Sequence, residues 1–158
     1  MIKDIVVNLG LGEQHPAGNF AISIAEAFGA HLLGVAFAYE PVIPGSVMGG
    51  IPPEFLEAQR AETEKSARTA IARFEQAAKR AAISFETRLL SASVSAASDL
   101  LGRIGRRFDI VVLGQPTRDK PMPEEVIDEG VLFECGRPVI FVPFIQKAGL
   151  KLDRILLC

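Results

Sequence analysis

The stretch VVLGQPTRDKPMPEEV, residues 111–126, decides how the chain is read. An aliphatic, β-branched run ends at Leu113, Gly114 turns the chain, and after a loop with three prolines the acids Glu124 and Glu125 open a helix. Strand, glycine turn and helix form the repeating unit of a parallel α/β sheet. In a nucleotide-binding domain of that kind, a glycine-rich turn here would offer successive backbone N–H groups to phosphate. This loop is poorly made for it: Pro116, Pro121 and Pro123 each lack an N–H and fix φ, and Glu124 and Glu125 bring negative charge to the helix start. Arg118 and Lys120 supply attraction for an anion without fixing its geometry.

The same alternation extends in both directions. DIVVNL is a short β-branched strand, and FAISIAEAFGAH has helical spacing at Phe20, Ile24, Ala27 and Phe28, with Gly18 or Asn19 near its start and Gly29 at its end. HLLGVAFA is apolar throughout, as a strand covered on both faces must be. A Pro- and Gly-rich loop, YEPVIPGSVMGGIPP, leads into a long amphipathic helix over residues 54–82 with apolar positions Ala67, Ile71, Phe74 and Ala78. Glu64 with Arg68 and Glu75 with Lys79 stand at i, i+4 on that helix. A third strand at ISFETRLL, a third helix over residues 93–108, the strand DIVVLG, a fourth helix from Pro123 to Glu134 stopped by Gly136, and the strand RPVIFVP complete a βαβαβαβαβ order. Helices between all the strands imply a parallel sheet with right-handed crossovers, whose ligands sit beyond the carboxyl ends of its strands.

Composition agrees with a single packed α/β domain: 158 residues, 49% hydrophobic and 23% charged. A formal net charge of −2 gives no field for nucleic acid, and no apolar run approaches the roughly 20 residues of a membrane span, so neither partner is expected. The opening MIKDIVV reads as a strand rather than a secretory leader, and a cytoplasmic protein is expected. Cys135 and Cys158 form neither a disulfide framework nor a zinc pattern. Gly10 and Gly12 begin a dinucleotide fingerprint whose third glycine would fall at His15, so that motif fails; no Walker A loop and no GxSxG elbow occurs. His15 and His31 have no ligand spacing, and the acids Glu124, Glu125, Asp128 and Glu129 read as residues favoured by a helix N-terminus. Arg103, Arg106 and Arg107 likewise read as cations at a helix C-terminus.

The opening KDIVV, the piece AISIAEAFGAHLLGVAFAYEP, then FDIVVLG and the close GVLFECGRPVIFVP together resemble the universal stress protein family across residues 1–143. The resemblance implies a Rossmann-like three-layer sandwich: a five-stranded parallel sheet in the order 3-2-1-4-5 with helices on both faces. It implies frequent pairing as dimers and, in one branch, ATP binding. That branch carries an acid after the first strand, at the position held here by Gly10, and a GxxGxxxxxxxxxG(S/T) loop after the fourth strand. Of the loop only Gly114 matches; Thr117 stands for the second glycine, and Ile127 with Asp128, or Glu125 with Val126, for the final pair. A degenerate site is therefore expected, in a non-enzymatic stress-response and dimerisation module that is at most a weak ATPase. The alternative is a domain that still binds ATP or another adenine nucleotide weakly, in a cleft formed by Gly10, Ala36, Phe37, Gly114, Gln115 and Thr117.

Residues 1–145 are thus read as one domain and residues 146–158 as a linker and an extra strand-like tail. The tail KLDRILLC echoes the opening KDIVV and resembles the start of a second such domain in tandem family members. A homodimer through the fifth strand, the tail or both is expected, because the link FIQKAGL is too short for the crossover a further parallel strand would need.

Overall fold

A computed structural model describes residues 1–12, 16–40, 52–116 and 124–151. The order is β1 (Asp4–Asn8), α1 (Pro16–Phe28), β2 (His31–Tyr39), α2 (Pro53–Arg80), β3 (Phe85–Ala92), α3 (Val94–Gly105), β4 (Ile110–Gly114), α4 (Glu124–Glu134) and β5 (Val139–Val142). All strand pairs are parallel, and the five strands lie in the order β3-β2-β1-β4-β5. The α/β sandwich and strand order expected from the sequence are both present.

Alternation along the strands divides the core into two layers. Ile5, Val7 and Leu9 of the β1 region, with Leu32, Ala36 and Val112, meet α1 and α2; Val6, Leu33, Val35, Phe37, Val111 and Leu113 meet α3 and α4. Helices therefore cover both faces, and the three central strands are apolar on both sides for that reason. Gly29 (φ 63) and Gly136 (φ 58) take the left-handed conformation just beyond α1 and α4, where a glycine ends a helix without Cβ strain. Ser93 caps α3 by accepting from the Ala96 N–H at 3.4 Å.

Three sequence readings are corrected. Helix α1 starts at Pro16, ahead of Gly18 and Asn19, because proline suits the first turn, where its missing N–H has no helical partner to lose. Its buried face is Ala17, Gly18, Ala21, Ile22, Ile24 and Ala25, whereas Phe28 is exposed. A helix lying close on a sheet selects small residues at the contact and sends bulky rings to its flank. Strand β2 runs on to Tyr39, so Ala36 and Phe37 do not form its end. The expected ion pairs of α2 are present, Arg68 to Glu64 at 2.6 Å and Lys79 to Glu75 at 3.9 Å.

Candidate functional site

The sheet reverses its winding between β1 and β4: β1 feeds α1 on one face and β4 feeds α4 on the other. A crevice at the carboxyl ends of these two strands is where a parallel α/β sheet places a ligand. Gly10 and Gly114 stand at this rim as expected. Among the described residues a Cβ on Gly10 would meet nothing within 4 Å, and one on Gly114 would lie 3.6 Å from the Ala17 Cβ. Among the described residues the rim is therefore clear on the β1 side and bounded by the first turn of α1 on the other.

Two backbone donors at the rim are already engaged. The Gln115 N–H donates to the Val142 carbonyl at 2.8 Å, extending the β4–β5 ladder, and Pro116 has no N–H to offer. Leu9 likewise donates to Val35 at 2.7 Å. The first two residues after Gly114 thus present no free N–H for phosphate. Ala36 and Phe37 are fully buried in opposite core layers, Phe37 stacked on Tyr39 with ring centroids 6.1 Å apart. Continuing the register of Asn8 with Val35, these two stand level with Leu9 and Gly10, with their side chains in the core. Thr117, His15, Arg118, Lys120, Pro121 and Pro123 lie outside the described residues, as do residues 41–51 of the long loop and 152–158 of the tail.

Asn8 went unnoticed in the sequence, where it looked like one more strand residue. It is the last residue of β1, 6% exposed, and its Oδ1 has no hydrogen-bond partner among the described residues. Alternation from Val6 turns it toward the α3/α4 layer, in register with Val35 of β2. The only signal for it was an amide where a core strand otherwise runs apolar. A buried acceptor left unbonded costs about 1–3 kcal/mol.

The acids of α4 differ in exposure. Asp128 is buried, while Glu125 and Glu129 are exposed, and among the described residues no group of three metal-ligating side chains occurs. His31 Nδ1 is bonded to Ser84 Oγ at 2.8 Å. Arg106 donates from Nε to the Glu134 carbonyl at 2.9 Å, and Arg137 donates to the Arg106 carbonyl at 3.0 and 3.1 Å, tying the ends of α3 and α4 together. Cys135 is buried, as a small core residue is.

These features define an open parallel α/β domain whose winding reverses between β1 and β4. No protein-family profile and no curated protein sequence matches the chain. Solved structures do. Universal stress protein UspA from Lactobacillus plantarum superposes with a TM-score of 0.63 at 17% identity, over 89% of this chain and 97% of that one. A universal stress protein in complex with cAMP gives 0.59 at 19% identity, covering 90% and 98%. A universal stress protein family protein from Arabidopsis thaliana with AMP bound gives 0.59 at 11% identity, covering 89% and 91%. The chain has the universal stress protein fold.

Proposed function

We propose that this chain is a non-enzymatic module that acts through self-association, with a degenerate adenine-nucleotide site at the crevice. The edge of β5, which pairs with no further strand among the described residues, carries the reading. Of nine exposed large hydrophobic residues among those described, five come from α4, β5 and the turn after it: Leu132, Phe133, Phe141, Phe144 and Ile145. An apolar sheet edge flanked by such residues is a pairing surface between chains. The degenerate site is supported by the Gln115 N–H, engaged by Val142, and by Pro116, which has none.

Adenine-nucleotide binding is the second reading. It is favoured by the buried Oδ1 of Asn8, which has no partner among the described residues, and by the AMP and cAMP held by two structures of the same fold. Light scattering on the full chain tests the first reading, with a dimer mass at micromolar concentration as the expected result and a monomer as the result against it. Titration calorimetry with Mg-ATP and with AMP tests the second. The expected dissociation constant is no tighter than about 100 μM, and a micromolar isotherm would make nucleotide binding the primary function.

A further inference from the structure

A hollow of about 250 Å³ lies between α1 and α2. It is separate from the crevice: Ala17 of α1 faces Gly114, whereas the next residue, Gly18, lies on the α2 side, where a Cβ would stand 3.6 Å from Phe74 Cδ2. Gly18, Ala70 and Phe74 are buried and form an apolar floor. Arg73, Gln76 and Arg80 are exposed and form the rim.

The charge of this rim has one sign. Among the described residues no carboxylate lines the hollow. Glu75, which stands in the same stretch of α2, is turned to the sheet, its Oε1 accepting from Thr87 Oγ1 at 2.9 Å and its Oε2 lying 3.9 Å from Lys79 Nζ. Arg80 has no ion-pair partner among the described residues. Arg73 donates from Nη1 to the Gly12 carbonyl at 3.3 Å, which directs its guanidinium toward the loop between β1 and α1, at one end of the hollow.

Helix geometry sets the distance between the two cations. Arg73 and Arg80 are seven residues apart on α2, close to two full turns, so they share a face and are separated by about 10 Å along the axis. Long helical side chains lean toward the helix N-terminus, which moves both guanidinium groups the same way and leaves Phe74 between them. Each guanidinium is a planar fork that matches a carboxylate with two parallel hydrogen bonds. Gln76, between the two arginines in sequence, adds an amide donor.

We propose that this hollow binds a small organic dianion with an acidic group at each end of a short apolar chain, one end on Arg73, the other on Arg80, and the chain over Phe74. Such a site is independent of the crevice and of association through β5.

Titration calorimetry on the full chain tests it, with adipate as the dianion and hexanoate as the singly charged molecule of the same chain length, at low ionic strength because exposed charges are screened by salt. Adipate is expected to bind at least about tenfold more tightly than hexanoate. Arg80→Gln should weaken adipate binding at least about tenfold, and Arg80→Lys by less, since lysine keeps the charge and loses the fork. Arg80 is exposed, so the thermal midpoints of both variants should match that of the parent. Arg73→Gln should show the same loss of affinity and decides the matter if the Arg80 variants do not fold. Amide chemical shifts in the parent should move at Gly18 and Phe74. Equal affinity for the two acids, or no saturable binding of adipate, overturns the proposal. Affinity unchanged in Arg80→Gln and Arg73→Gln, with shifts centred on Gly10 and Gly114, also overturns it, because the dianion would then sit in the crevice.

Discussion

Asp109, just before β4, accepts from the backbone N–H groups of Lys3 at 2.7 Å and Asp4 at 3.1 Å, and so ties the start of β1 to the start of β4. The Lys3 N–H, followed by that of Asp4, holds the Asp109 carboxyl below its usual range; desolvation opposes them to a lesser degree, and Arg137 adds a still smaller lowering effect. Because the folded-state value lies below the unfolded one, the group contributes stability above an unfolded-state pKa of about 3.9 and loses it as pH falls through the depressed folded value. Asp109→Asn should lower the thermal midpoint at pH 7, and the gap from the parent should close in strongly acid buffer. A gap that stays constant from pH 7 down to pH 3 would mean that the charge contributes nothing through these two bonds. At the same scale, Asn8 shows why the site was only half legible in the sequence. The rim glycines could be located from the strand pattern, but whether an amide is bonded depends on neighbours contributed by other strands.

At the scale of elements, the contact between α2 and β2 depends on one missing side chain. Gly34 sits in the middle of β2, where a Cβ would come within 2.8 Å of Phe74 Cε1 and 3.1 Å of Leu9 Cδ1. The Phe74 ring fills that space and meets Phe85 edge-on at 6.1 Å. Gly34→Ala should therefore destabilise by about 1–3 kcal/mol through overpacking, and Phe74→Ala by about 3–5 kcal/mol through a cavity. Since the two residues share one space, Gly34→Ala with Phe74→Ala should cost less than the sum of the single changes. Urea unfolding of the three variants measures this, and strict additivity would mean that the residues do not interlock. Phe74 was legible as a core position from its spacing along α2, but its partner was not, since a glycine in an apolar run gives no sign of what lies over it. The ends of elements were legible only in part for a similar reason. The apolar run of β2 continues through Ala38 to Tyr39, and the Glu40 N–H bond to the Ala92 carbonyl, which extends the ladder, is set by β3. Residues 41–51, 117–123 and 152–158 lie outside the described structure, so readings of those loops and of the tail stand on sequence alone.

For the whole molecule, the two edges of the sheet are unlike. Strand β3 alternates, with Glu86 and Arg88 exposed and 3.9 Å apart, and charges along an edge oppose pairing with another chain. Strand β5 carries no charge, and its Phe141 is 40% exposed. An association that uses β5 should thus be broken by a charge placed there, and adjacent positions on the strand separate that effect from folding. Phe141 is exposed, whereas Val142, on the other face, is 1% exposed in the α1/α2 layer. Phe141→Lys should convert a dimer to a monomer while changing the stability of dilute protein by no more than about 0.5 kcal/mol, as is usual for an exposed position. Val142→Lys should unfold the domain, because it buries an unpaired ammonium group among aliphatic side chains. Mass by light scattering and the midpoint of urea unfolding, both on the full chain, give the comparison. If Phe141→Lys leaves a dimer intact, the copies meet elsewhere, and β5 is an edge kept soluble by something other than a second chain.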